Sequence, residues 1–157
     1  MSPTSDPSER TVVSNRKARR DYEILERFEA GIVLTGAEVK SLRGGRGSLA
    51  EAFARVRAGE VWVEGMHIPP YEQAMDKRAY DPIRTRKLLL HRKEIERLIG
   101  KTAERGLALV PLRVYFSHGL AKMELGLGRG RRQYEKRQAI AEREHEREML
   151  REAGRRR

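Results

Sequence analysis

Chemistry in this chain is concentrated in its cations. Arg16-Lys17-Ala18-Arg19-Arg20 places four of them within five residues. Arg84, Arg86, Lys87, Arg92 and Lys93 place five more within ten, with His91 among them. A guanidinium presents a planar fork of donors that matches phosphate oxygens, and an ammonium meets the same oxygens as a point charge. Lys40, Arg43 and Arg46 form a third group, residues 129–137 a fourth, and the end of the chain a fifth. The net charge is +11, with 5 basic and 3 acidic residues over 1–21, 19 and 14 over 22–130, and 10 and 6 over 131–157. Positive charge therefore runs through the whole sequence, the footprint of a nucleic acid or an anionic membrane.

Other chemistries are poorly served. The chain has no cysteine, which excludes disulfides, Cys-based zinc sites and thiol catalysis. His67, His91, His118 and His145 have no metal-ligand spacing, and no serine lies in a G-x-S-x-G turn. Gly126-Leu127-Gly128-Arg129-Gly130 has the glycines of a phosphate loop, but no Walker lysine follows. Glu23, Glu26 and Glu29 are spaced as strand-surface charges, without the second acidic cluster of a two-metal nuclease. We expect no catalytic residue, metal or cofactor. No apolar run reaches 18 residues, and MSPTSDPSER has no signal-peptide core, so the expected location is the cytoplasm and no membrane contact is expected.

The elements that must carry these cations follow from periodicity. Residues 1–13, rich in Ser, Pro and Thr, are expected to be disordered. From Tyr22 the even positions Tyr22, Ile24, Phe28, Ala30, Ile32 and Leu34 mark a long strand, with its bend at Gly31. Thr35-Gly36-Ala37-Glu38 has capping-box spacing for a short helix, with Val39 and Leu42 inward and Lys40 and Arg43 outward. Gly44-Gly45-Arg46-Gly47 suits either the stop of that helix or close approach of a phosphate. Residues 52–68 form a hairpin turning at Gly59, with Trp62, Met66 and Ile68 on one face and Trp62 in the core. A long loop, Pro69 to Pro82, precedes a buried strand from Lys87 to Leu90. In the next helix Ile95, Leu98, Ile99 and Thr102 form the inward stripe, and Glu94 has cap spacing to His91. Alternation across His118-Gly119 makes a final hairpin. Antiparallel strands with one main helix before the last hairpin imply a mainly β chain with helices, built as a small antiparallel OB-like β-barrel over residues 14–130. Strands bearing Arg and Lys with a few exposed aromatics suit folded RNA better than duplex DNA, since no recognition helix is offered.

Residues 131–157 are different. Their only sizeable apolar side chains are Tyr134, Ile140, Met149 and Leu150, too few to dock the segment on a core. This basic tail is expected to be disordered or conditionally helical. Drawn as a helix, Arg143, Arg147, Arg151 and Arg155 form one i, i+4 ridge, with Glu144, Glu148 and Glu152 beside it.

Four stretches make the chain recognisable. They are Asn15-Arg-Lys-Ala-Arg-Arg-Asp-Tyr22, Phe28-Glu-Ala-Gly-Ile-Val-Leu-Thr-Gly-Ala-Glu-Val-Lys-Ser-Leu-Arg43, Asp81-Pro-Ile-Arg-Thr-Arg-Lys-Leu-Leu-Leu90 and Gly128-Arg-Gly-Arg-Arg-Gln-Tyr-Glu-Lys-Arg137. In these the chain resembles the SsrA-binding protein family (small protein B), the bacterial partner of transfer-messenger RNA. The resemblance implies an OB-like body that binds the tRNA-like domain and stands where an anticodon stem lies in the small-subunit decoding region. It implies a tail that is helical on the ribosome and follows the empty mRNA channel of a ribosome stalled without a stop codon. It also implies elongation factor Tu and alanyl-tRNA synthetase as partners through the shared RNA, and a monomer in the RNA complex.

Carried over by that likeness, Glu29, Leu89 and the position of His91 belong to the RNA-binding face. They join the cations Arg16, Lys17, Arg19, Arg20, Lys40, Arg43, Arg84, Arg86 and Lys87 as RNA-contact candidates. Gly130, Arg131, Arg132, Tyr134, Glu135, Lys136 and Arg137 match the junction that meets the decoding region. Arg143, Arg147, Met149, Leu150 and Arg151 are the channel-facing candidates of the tail. Two positions depart from the family pattern: His91 stands where Asn is common, and Tyr134 where His is common. Tyr keeps a flat ring able to stack on a base, worth about 1–3 kcal/mol, but cannot gain positive charge.

Overall fold

A computed structural model describes residues 8–71, 79–104, 106–131 and 133–155. In order these give β1 (Arg10–Ser14), α1 (Arg16–Asp21), β2 (Tyr22–Ile32), α2 (Gly36–Arg43), β3 (Phe53–Arg57) and β4 (Glu60–Glu64). They continue with β5 (Arg86–Leu89), α3 (Arg92–Thr102), β6 (Leu107–Ser117), β7 (Leu120–Gly130) and α4 (Gln133–Arg155). All named strand pairs are antiparallel, ordered β1-β6-β3-β4-β5-β2-β7 with β7 returning to β6. Six strands thus complete a ring, and β1 adds onto β6. The expected small antiparallel barrel is this ring, one strand more than the five of the OB type.

The core follows from alternation. Phe28, Ala30 and Ile32 of β2, Val61 and Val63 of β4, Leu88 of β5, and Met123 and Leu125 of β7 point inward, with Leu42 of α2 and Leu98 of α3 packed against them. Both tight hairpins need positive φ at two successive residues, supplied by Ala58-Gly59 (φ 53° and 76°) and His118-Gly119 (φ 50° and 77°). The bend expected at Gly31 lies elsewhere: the β2–β7 register slips between Ile24 and Glu26, leaving Leu25 exposed. A second slip, between Pro111 and Arg113, lets β6 carry a proline that has no N–H for the ladder.

Asn15 joins these features. Its Oδ1 accepts from the Ala18 N–H (3.1 Å), its Nδ2 donates to the Pro111 carbonyl (2.8 Å), and its backbone N–H donates to Leu112 O (2.8 Å). One buried amide therefore caps α1 and fastens it to the irregular part of β6. Asn15→Ala removes the cap and leaves the Pro111 carbonyl short of a partner. A loss of about 2 kcal/mol is expected, read by urea denaturation.

Three further expectations change. The disorder expected over residues 1–13 does not hold for Arg10–Ser14, which is strand, because pairing to β6 and burial of Val13 are tertiary and invisible in local composition. Residues 1–7 lie outside the described residues. Trp62 is not in the core: β4 stops at Glu64 and Gly65 takes φ +74°, so the period-2 count linking Trp62 to buried Met66 and Ile68 is broken. Val61 and Val63 point inward, and Trp62 lies on the outer face beneath the Arg57 guanidinium. Ile99 is about half exposed, the inward stripe of α3 being centred on Leu98 with Ile95 beside it. In the Pro69–Pro82 loop, Tyr80 ties the return by donating to Ile68 O (2.8 Å), while residues 72–78 lie outside the described residues.

Candidate nucleic-acid interface

Two features form the candidate interface. The first is α1, whose buried Ala18 seats the helix while Arg16, Lys17, Arg19 and Arg20 remain exposed. None of these four has an ion-pair partner among the described residues. Four exposed cations on one and a half turns form a positive patch of the kind that suits phosphate.

The second is an open groove on the outside of the ring. Cross-strand register aligns Tyr115 of β6, Lys122 of β7, Gly31 of β2 and Leu89 of β5 in one row. Glu29 lies one row along on the same face of β2. Gly31 contributes no side chain, so a depression of 420 Å³ opens between Lys122 and Leu89, with His91 and Leu120 at its rim. The three positions carried over by resemblance, Glu29, Leu89 and His91, are thus brought together. The backbone N–H of His91 is capped by Glu94 Oε1 (3.2 Å), and its ring makes no capping hydrogen bond.

Glu29 is held from both sides. The Tyr115 hydroxyl donates to Oε2, and Lys122 Nζ lies 3.1 Å from Oε1. The Tyr115 hydrogen bond outweighs burial and, with Lys122, keeps the Glu29 carboxyl below its ordinary value. Burial and the same bond push the Tyr115 phenol far up, so it remains a donor. Arg113 stacks over the Tyr115 ring at 4.0 Å and pairs with Glu124 (2.8 Å) and Glu9 (3.1 Å). Tyr115, Lys122 and Leu120 were not singled out by the sequence, and Gly31 only as a bend, not as part of a site. The signal for Tyr115, Lys122 and Gly31 was their common parity on paired strands, readable only once register is known.

Of the cationic candidates, Lys40 lies over the Tyr71 ring and Arg43 over that of Phe116, both on the exposed side of α2. Lys87 pairs with Glu60 at 3.1 Å, and Arg84 pairs with Glu38 at 2.6 Å while still partly exposed. Arg86 must be withdrawn: it is 0% exposed and cannot reach RNA. Its guanidinium donates to Glu38 Oε2, Met66 O (2.7 Å) and Pro82 O (3.2 Å), because even positions of β5 face inward with Leu88. Gly44–Gly47 resolves as a helix stop, since the backbone N–H groups of Gly44, Gly45 and Arg46 all return to carbonyls of α2. Gly126 and Gly128 are strand glycines closed over by Ile24, Leu112 and Tyr22, not a phosphate loop.

Glu38 is as buried as Arg86. Burial alone would raise its pKa, but Arg84, the Thr35 N–H and Arg86 overcome this and hold it low. Glu29 and Glu38 therefore bind protons less tightly when folded than when unfolded. Their stabilisation is complete above the ordinary value of 4.5 and is lost as pH falls through the lower folded values. Tm should hold steady from pH 7 to about 5 and then drop. In Glu38→Gln the drop should be shallower, from a lower starting Tm, measured by thermal melts against pH.

Beyond the ring, Gly130 ends β7 and the Arg131 N–H donates to Asp21 O (2.9 Å), tying the start of the tail to α1. Arg132 lies outside the described residues, and for Tyr134, Glu135, Lys136 and Arg137 only the helical backbone of α4 is described. From Ala141 to Gly154 every residue of α4 is exposed, including Arg143, Arg147, Met149, Leu150 and Arg151. Among the described residues no helix is long and apolar enough to cross a membrane, and no His, Asp and Glu cluster could hold a metal.

Known proteins resemble this chain over most of its length. A family model described as "SmpB protein" matches residues 12–155. The SsrA-binding protein of Salinispora arenicola is 60% identical over 147 residues, covering 94% of this chain and 92% of that one. That of Desulforudis audaxviator is 57% identical over 145 residues, covering 92% and 94%. Among solved structures, a chain from "tmRNA-SmpB: a journey to the center of the bacterial ribosome" matches with a TM-score of 0.65 and 50% identity, over 81% of this chain and 92% of its own. The chain belongs to the SmpB family.

Proposed function

We propose that this chain is a transfer-messenger RNA-binding protein required for trans-translation. It binds the tRNA-like domain through α1 and the groove, stands in for an anticodon stem in the decoding region, and rescues ribosomes stalled on mRNA lacking a stop codon. The tail probes the empty mRNA channel. The single observation that carries this reading is family membership over residues 12–155, and the exposed cations of α1 give it a physical basis. The protein acts in the cytoplasm as a non-enzymatic adaptor and is a monomer in the RNA complex. It touches the small subunit and its rRNA, and meets elongation factor Tu and alanyl-tRNA synthetase through the shared RNA. Residues 14–130 form the RNA-binding body and 131–157 the tail.

Ribosome profiling by sucrose gradient tests this. The protein should be enriched on ribosomes stalled on a message lacking a stop codon and scarce on translating ones. Stoichiometric presence on translating ribosomes would instead make it an ordinary rRNA-binding ribosomal protein.

A further inference from the structure

The groove carries chemistry that phosphate binding does not need. In a chain of net charge +11, its central group is a carboxylate, which repels phosphate and accepts hydrogen bonds only. Glu29 is 53% exposed, and the bonds from Tyr115 and Lys122 use one lone pair on each oxygen, leaving acceptor capacity directed outward. Lys122 adds a donor 3.1 Å away. The walls are apolar, with Leu89 53% and Leu120 63% exposed, able to lie against a flat ring.

We propose that this groove reads an unpaired guanine of the bound RNA, an assignment that rests on the RNA-binding reading above. A donor beside two acceptors complements an edge with one acceptor beside two donors. Only guanine offers that edge, as O6, N1–H and the N2 amino group. Adenine and cytosine each present one exocyclic donor beside a ring acceptor, and uracil one donor between two acceptors. Lys122 meets O6, while Glu29 accepts from N1–H and N2–H. Recognition of splayed-out bases by their Watson–Crick edge is how proteins read single-stranded RNA. Gly31 leaves the space in which the base lies. Tyr115 is a positioning residue: buried beneath Arg113, it fixes the orientation of the Glu29 carboxylate without touching the base.

The test is selection by the full-length protein from tRNA-like-domain RNA randomised at its unpaired nucleotides, run with wild type, Glu29→Gln and Tyr115→Phe, with melts to verify folding. Wild type should enrich guanine at one unpaired position. Inosine there, lacking the N2 amino group, should weaken binding about tenfold, within what a bidentate contact discriminates. Both variants should lose most of that preference while remaining folded. A wild type without guanine preference, or a preference that survives in Glu29→Gln, would overturn the assignment. In that case a uniform loss of affinity in Glu29→Gln would still leave the groove an RNA contact. Unchanged affinity and unchanged preference in both variants would remove the groove from the RNA interface altogether.

Discussion

Truncation after Gly130 is expected to abolish peptide tagging while the remaining body still binds transfer-messenger RNA. The exposed cations of α1 and the groove between β2, β5 and β7 all lie before that residue. From Ala141 to Gly154 every residue of α4 is exposed, so the loss of this part of the helix uncovers no buried side chain of its own. What is lost is a diffuse positive excess, which should weaken RNA binding modestly and lower its salt dependence. On the proposed function, tagging depends on what the helix presents. Arg143, Arg147, Arg151 and Arg155 recur at i, i+4 along a helix of 23 residues, about 35 Å long. Like charges at that spacing repel by about 0.2–0.5 kcal/mol per pair, partly countered by Glu144–Arg147 and Glu148–Arg151 at i, i+3. Walls of RNA phosphate would satisfy the Arg ridge. Tagging assays and filter binding on the truncated protein separate the two roles; loss of RNA binding would refute the division of labour between body and tail.

The second large effect is at a residue first assigned to RNA. Arg86→Ala should cost about 3–5 kcal/mol, because it leaves the buried Glu38 carboxylate with a single cationic partner, the partly exposed Arg84. It also strips the Met66 and Pro82 carbonyls of their guanidinium donors. With total stabilities of about 5–15 kcal/mol, that loss would bring the fold near its limit. Arg84→Ala, whose side chain is 39% exposed, should cost far less. The pair is compared by chemical denaturation. At low temperature, where enough Arg86→Ala remains folded, its RNA affinity per folded molecule should be close to wild type, whereas an RNA contact would show the reverse pattern.

Arg86 also shows how far the sequence could be read. The Thr35–Glu38 capping box was legible because it is local, and it forms with Glu38 Oε1 accepting from Thr35 N at 2.9 Å. The His118-Gly119 hairpin was legible for the same reason. That Glu38 then turns its other oxygen inward to Arg86, 48 residues away, was not. Three consecutive leucines after Lys87 conceal which parity faces in. Had Leu88 been fixed as inward, Arg86 would have followed it into the core and Leu89 would have followed Lys87 outward. The groove was hidden in the same way. Glu29 and Leu89 were named by family likeness, but Tyr115, Lys122 and Gly31 enter only through register across four strands. The four cations of α1 were legible from charge alone, and a short helix seated by one alanine leaves all four exposed.

The central claim is that this chain serves one RNA. The most direct measurement is to purify the protein from its own cells under native conditions and sequence the RNA that comes with it. A single dominant transfer-messenger RNA is the predicted result; a mixture in which ribosomal or messenger RNA dominates would contradict it.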